Sequence, residues 1–240
     1  MIEIRGISKA YVKNKKSVDN LNLEIRDGEI FGFLGPNGAG KTTTIKMLTG
    51  ILNIDEGDVL IDGNSITENP VEAKKAFGFI PDSPDMFLKL KGIEYLNFIG
   101  DIYGIDSETR KEKIEVLAKE FGIFENLNSR IQSYSHGMRQ KILIIGVLMI
   151  EPKNWILDEP LTGLDPKSAY DLKEKMKEHK LKGNSVFFST HVLEVAEKLC
   201  DRIGIINEGK LIFVGTYEQM QKKFSGTSSL EEMFLELTDK

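Results

Sequence analysis

The apolar positions of this chain change period along its length. Residues 2–34 alternate in short strand-like runs joined by turns at Lys13–Lys16 and Asp27-Gly28, ending in the continuous apolar run Ile30–Leu34, which suits a buried strand. Thr42–Leu48 reads as a helix, Gly57–Asp62 as a strand closed by the Asp62-Gly63 turn, and Phe77–Ile80 as a buried strand entering the loop Pro81-Asp82-Ser83-Pro84. From Gly92 to Phe124 the spacing becomes helical, through Tyr95, Phe98, Ile99 and Ile102 and then Ile114, Leu117 and Phe121. An apolar helix follows at Lys141–Met149. Strands at Trp155–Leu157, Val186–Phe188 and Ile203–Ile206 then alternate with helices at Ser168–Lys180 and Val192–Leu199. Phe224–Ser229 has linker character and Leu230–Leu237 is a short amphipathic helix.

Strands alternating with helices predict an α/β fold with a largely parallel sheet covered on both faces. A chain of 240 residues fits one domain, with 1–90 and 150–224 as its core, 91–149 as a helical insert and 225–240 as a closing helix. The composition, 40% hydrophobic and 29% charged, is that of an ordinary soluble protein. A net charge of −5 argues against a nucleic-acid partner, which needs a basic surface. Cys200, the single cysteine, cannot form an intrachain disulfide and reads as a small core residue in a reducing cytoplasm. No apolar run approaches the roughly 20 residues that span a bilayer, so membrane work would need a second polypeptide.

The chemistry is concentrated in Gly35-Pro36-Asn37-Gly38-Ala39-Gly40-Lys41-Thr42-Thr43, between a predicted strand and a predicted helix. Gly35, Gly38 and Gly40 lack the Cβ atoms that would keep backbone N–H groups from converging on anionic oxygens. Lys41 adds a charge for the β- and γ-phosphates, Thr42 a hydroxyl for Mg²⁺, and the helix N-terminus faces the same anion. This spacing in strand–loop–helix context binds a nucleoside triphosphate.

Trp155-Ile156-Leu157 ends in Asp158-Glu159-Pro160. An acid at a strand tip beside a phosphate loop can hold Mg²⁺ or its waters, the role expected of Asp158. Glu159, directed elsewhere, could polarise an attacking water. Two further stretches narrow the class. Ser133-Tyr134-Ser135-His136-Gly137-Met138-Arg139-Gln140 precedes this strand; Leu161-Thr162-Gly163-Leu164-Asp165 and, later, Ser189-Thr190-His191 follow it.

Taken in this order, the set resembles the nucleotide-binding subunit of ATP-binding cassette (ABC) transporters over almost the whole chain. The resemblance implies a P-loop NTPase with a mixed, largely parallel sheet core, N-terminal antiparallel strands and a helical subdomain. It implies an ATPase using ATP and Mg²⁺, with Lys41, Glu159 and His191 as its catalytic residues. Two such subunits, identical or different, would pack head to tail around ATP. Ser135, His136, Gly137 and Met138 would form the signature that meets the γ-phosphate in trans, with Asp165 crossing the interface. His191 would contact the γ-phosphate and hold the water. Tyr11 matches the aromatic that stacks on adenine, although an aromatic after an N-terminal strand can equally serve packing. The subunit would sit at the cytoplasmic face of the membrane, held there by integral-membrane permease subunits.

Two positions depart from the family pattern. The usual LSGGQ signature is YSHGM here, so His136 replaces a glycine, a variation found in the drug- and peptide-exporting branch. That branch is also similar in its closing helix. Asp82 stands near the place of a metal-ligating glutamine: it is either a shorter, more negative ligand or simply a loop residue beside prolines. Pro81–Lys89 and the helical insert would form the groove for a permease helix. Two other classes fit less well. A nucleic-acid-directed ABC ATPase would need a long coiled coil or a second cassette, and a slowly hydrolysing binding module would not need Glu159 and His191.

Overall fold

A computed structural model describes residues 1–12, 15–223 and 229–238. The chain opens with the antiparallel strands β1 (Ile2–Val12) and β2 (Lys15–Ile25), followed by β3 (Ile30–Leu34) and α1 (Lys41–Leu48). Next come β4 (Glu56–Ile61), β5 (Asn64–Ser65), α2 (Pro70–Lys75) and β6 (Phe77–Ile80). The central helices are α3 (Gly92–Ile102), α4 (Ser107–Glu120) and α5 (His136–Ile150). The last third runs β7 (Asn154–Asp158), α6 (Pro166–Leu181), β8 (Ser185–Thr190), α7 (Leu193–Leu199), β9 (Arg202–Asn207), β10 (Lys210–Gly215), α8 (Tyr217–Lys223) and α9 (Leu230–Thr238).

The strands form two sheets. The larger has the order β10-β9-β3-β8-β7-β6 and is parallel except for β10, which pairs antiparallel with β9. The smaller, of order β2-β1-β4-β5, is antiparallel. Every residue of β3, β7 and β8 is buried, which explains their continuous apolar runs: these strands are covered on both faces. Odd and even positions serve different cores. Trp155, Leu157, Val186 and Phe188 pack with α3–α6, whereas Phe31, Phe33, Ile156 and Phe187 pack with α1 and the antiparallel sheet. A third cluster joins Leu34, Ile203 and Ile205 to Met220, Leu230 and Met233 beneath α7–α9.

The stretch Gly92–Phe124 is helical as expected, in two helices separated where Gly104 turns the chain at φ 67°. Several sequence expectations need correction. The apolar helix begins at His136, five residues before Lys141, because Ser135 supplies an N-cap. Ile203–Ile206 is not the last strand: Lys210–Gly215 returns as β10, its half-buried side chains too mixed to show a clear period. The short elements β5, α2 and α8 were also not anticipated. Of the predicted turn at Lys13–Lys16, residues 13 and 14 lie outside the described residues, as do 224–228 of the predicted linker.

The parallel register places the site. Leu34 pairs with Thr190, Asp158 with Ser189, and Ile80 with Leu157. The carboxyl ends of β3, β6, β7 and β8 therefore lie along one edge, and the segments that leave them are those carrying the candidate chemistry.

Candidate nucleotide site

The loop from Gly35 to Gly40 leaves β3 and turns directly into α1. A Cβ on Gly35 would lie 2.4 Å from the carbonyl of Ile206, and one on Gly40 would lie 2.6 Å from that of Ser17. These two glycines are thus required by neighbouring backbone as well as by an anion. Gly40 also sits at φ 112°. Ala39 is buried beneath the loop, and its carbonyl accepts the N–H of Gly209 at 2.9 Å. No side chain caps the N-terminus of α1, and no acid occupies its first turn, so its N–H groups stay available to an anion.

A cleft of about 320 Å³ lies over this loop. Pro36, Asn37, Gly38, Gly40, Lys41, Thr42 and Thr43 line it together with Asp82, Glu159 and His191. Lys41 is buried and donates from Nζ to the carbonyl of Gly35 at 2.6 Å and of Pro36 at 3.3 Å. Desolvation pulls its ammonium pKa below the usual lysine value, while the charges of Glu159, Asp158 and Asp82 oppose that shift.

Asp158 ends β7 and is only 2% exposed. Burial raises its carboxyl pKa, against hydrogen bonds from Ser189 and Thr42, and the charges of Asp82 and Glu159 raise it further. Ser189 Oγ donates to Asp158 Oδ1 at 2.6 Å and accepts the backbone N–H of Glu159 at 3.0 Å. Glu159 is held at φ 48°, a left-handed conformation uncommon for a side chain of this type. That turn brings Glu159 into the cleft, with Oε2 3.0 Å from Nδ1 of His191. Glu159 thus faces the cleft, whereas Asp158, buried at the end of β7, does not line it. Among the described residues no group of three or more His, Cys, Asp or Glu side chains is spaced to hold a metal alone. A buried carboxylate beside a threonine hydroxyl instead suits an ion completed by phosphate oxygens and water.

Tyr11 does not line the cleft. Its ring is 59% exposed rather than packed in the core, and its hydroxyl lies 3.4 Å from Thr43 Oγ1. The YSHGM segment is also outside the cleft. Ser135 caps α5, its Oγ accepting from the Met138 N–H at 3.3 Å, and His136 is exposed at the first helical position. Gly137 and Gly163 are in close apposition: a Cβ on Gly137 would lie 2.6 Å from the carbonyl of Gly163. Asp165 is engaged within its own chain. It caps α6 by accepting from Ser168 N at 3.0 Å and Oγ at 2.8 Å, and Lys141 of α5 pairs with it at 2.7 Å. These contacts hold the Asp165 carboxyl well below the usual range.

Thr162 of the Leu161–Asp165 stretch also lines the cleft, as does Ser17, which the sequence does not single out. Ser17 comes from the antiparallel sheet, far from every motif in sequence, and carries no signal of its own. The bridging role of Ser189 could have been read from its place directly before Thr190-His191 at a strand end. Burial pushes the Cys200 thiol pKa up, which disfavours its thiolate.

A phosphate loop at the carboxyl edge of a parallel sheet, facing a strand-end acid pair and a histidine, defines a P-loop nucleotide-binding ATPase. A family model described as ABC transporter matches residues 18–162. The chain is 36% identical to the linearmycin resistance ATP-binding protein LnrL of Bacillus subtilis, over 96% of this chain and 74% of that protein. It is 32% identical to the ABC-type transporter ATP-binding protein EcsA of the same organism, over 99% of this chain and 96% of that one. A solved ATP-binding subunit of an ABC transporter superposes with a TM-score of 0.93 at 32% identity, covering 99% of both chains. The chain belongs to the ABC transporter family and is an ATP-binding, ATP-hydrolysing subunit of such a transporter.

Proposed function

We propose that this subunit drives an exporter, its cargo chosen by a separate membrane permease. The observation that carries the hydrolytic part is the Asp158–Ser189–Glu159–His191 chain of contacts, whose Glu159 and His191 line the same cleft as Lys41. In this reading Lys41 leaves its carbonyl partners to meet the phosphates, assisted by the free N–H groups of α1. Thr42 and Asp158 would hold Mg²⁺, with Asp82 as a third candidate ligand, and the ion would offset charge on the phosphate oxygens. Glu159 accepts the proton of the attacking water, and His191 orients Glu159 and the γ-phosphate. Tyr11, exposed beside Thr43, offers a face for adenine.

The segment Ser135–Met138 stands apart from the chain's own cleft. It is therefore read as serving a second subunit's nucleotide, in a head-to-tail dimer with ATP between the two. Permease contact is assigned to the exposed side chains of Met86, Phe87 and Phe98, which lie on the loop after β6 and on α3. Among the described residues no helix is long and apolar enough to cross a membrane, which supports peripheral attachment through that contact at the cytoplasmic face. Export is favoured by the YSHGM form of the signature and by the likeness to a resistance protein. The test is ATP binding and turnover in two variants. Lys41→Ala is expected to abolish tight binding, whereas Glu159→Gln keeps binding and stops turnover. Equal loss of binding in both would overturn these roles.

A further inference from the structure

We infer that Arg139 is a positioning residue that joins the loop bearing Asp82, at this chain's own nucleotide cleft, to the Ser135–Gly137 segment that serves the other nucleotide. The inference rests on the head-to-tail reading above. Arg139 lies in the first turns of α5, four residues after Ser135, with its side chain mostly covered. Its guanidinium makes three contacts in three directions of one fork. It donates to Asp85 Oδ1 at 2.5 Å, to the Gln132 carbonyl at 2.8 Å and to the Ile131 carbonyl at 3.3 Å. Such a planar, multiply bonded group fixes relative position in a way that a single surface ion pair does not.

The backbone completes the connection. Ile131 N–H donates to Leu90 O at 2.8 Å, Gln132 N–H to Leu88 O at 2.9 Å, and Gly92 N–H to Ser129 O at 3.2 Å. Residues 88–92 are thus laced to 129–132, immediately ahead of Ser135. Asp85 is three residues beyond Asp82, and Asp82 lines the cleft. Phe87, at φ 54°, holds a tight turn between the two ends of this loop, its ring packed on Tyr95 and Phe98. A displacement of Asp82 by nucleotide is therefore passed through Asp85 and Arg139 to the base of the signature, without crossing the sheet. In a sandwich of two subunits the consequence is communication between the two nucleotides through a single chain.

The test compares the full-length wild type with Arg139→Gln and the milder Asp85→Asn. Hydrogen–deuterium exchange of the nucleotide-free protein should rise together in 84–91 and 129–137 and stay unchanged in 35–48. Loosening of only one of the two segments, or of neither, would overturn the connection. In the ATPase assay both variants should leave KM within about twofold, lower kcat about three- to tenfold and bring the Hill coefficient for ATP toward one. The double variant should be no worse than the worse single one, since both remove the same contact. Wild-type cooperativity retained in both variants would refute the role even if the segments loosen. If wild type itself shows neither cooperativity nor ATP-dependent dimerisation, the head-to-tail reading fails, and joint or separate loosening in the exchange data still decides the connection.

Discussion

Ser189 Oγ donates to Asp158 Oδ1 at 2.6 Å, so the hydroxyl of one strand end steers the buried acid of the next. The same oxygen receives the N–H of Glu159, which fixes the turn that brings Glu159 to His191. Ser189→Ala removes both contacts without adding volume. A lost hydrogen bond to a charged group corresponds to about 1.5–3 kcal/mol. We expect kcat to fall at least tenfold and the Mg²⁺ requirement to rise, with the fold intact by circular dichroism. Unchanged kcat and Mg²⁺ dependence would assign Ser189 to packing alone.

Asp82 offers a different balance. Its charge supports the protonated form of Lys41 and opposes ionisation of Asp158. If it ligates the ion, Asp82→Asn should weaken apparent Mg²⁺ affinity in the ATPase assay by roughly fivefold or more, because a carboxylate is lost from a site with few protein ligands. Equal or tighter Mg²⁺ dependence in the variant would make Asp82 a loop residue whose charge is merely tolerated.

Gly163 adopts φ 78°, and a Cβ there would lie 2.4 Å from Cδ2 of His136. Gly163→Ala is expected to lower ATPase activity by disturbing the contact between the Leu161–Asp165 loop and the start of α5. The strain has two sources, a backbone conformation costly for alanine and a clash with the imidazole. His136→Gly in the same chain removes only the second, so activity should recover partly. No recovery would place the whole cost in the backbone.

His179 gives the fold a pH dependence away from the nucleotide. It is buried, stacked on Trp155 with ring centroids 4.1 Å apart, and desolvation pulls its pKa from 6.5 down to about 4. The unfolded chain takes up a proton near pH 6.5 that the folded chain refuses until about 4, so stability from this group is complete above 6.5 and declines as pH falls toward 4. The loss is on the order of 2–3 kcal/mol. In thermal melts between pH 7 and 4, the difference in pH slope between wild type and His179→Gln should carry this sign. Parallel slopes would contradict it.

Much of the site was legible because its chemistry is local. Gly35–Thr43 is one uninterrupted loop and helix start, and Asp158-Glu159 and Ser189-Thr190-His191 each end an apolar run whose period marks a buried strand. What was not legible depends on distant partners. Ser17 reaches the cleft only because the antiparallel sheet folds over the phosphate loop, where its carbonyl also excludes a side chain at Gly40. Arg139 is one charge in an exposed-looking motif until Asp85 and the carbonyls of Ile131 and Gln132 surround it. β10 was hidden for a related reason: an edge strand pairs by its backbone, and none of the side chains of Lys210–Val214 is fully buried, the one buried position being Gly215.

On the proposed reading, two subunits close on ATP through Ser135–Met138. Light scattering on size-exclusion-purified Glu159→Gln, with and without Mg-ATP, tests it most directly. The protein is expected to be a monomer that becomes a dimer only with Mg-ATP, and adding Ser135→Ala should weaken this dimer while ATP still binds. A persistent monomer with ATP demonstrably bound would contradict closure of this chain on its own copy.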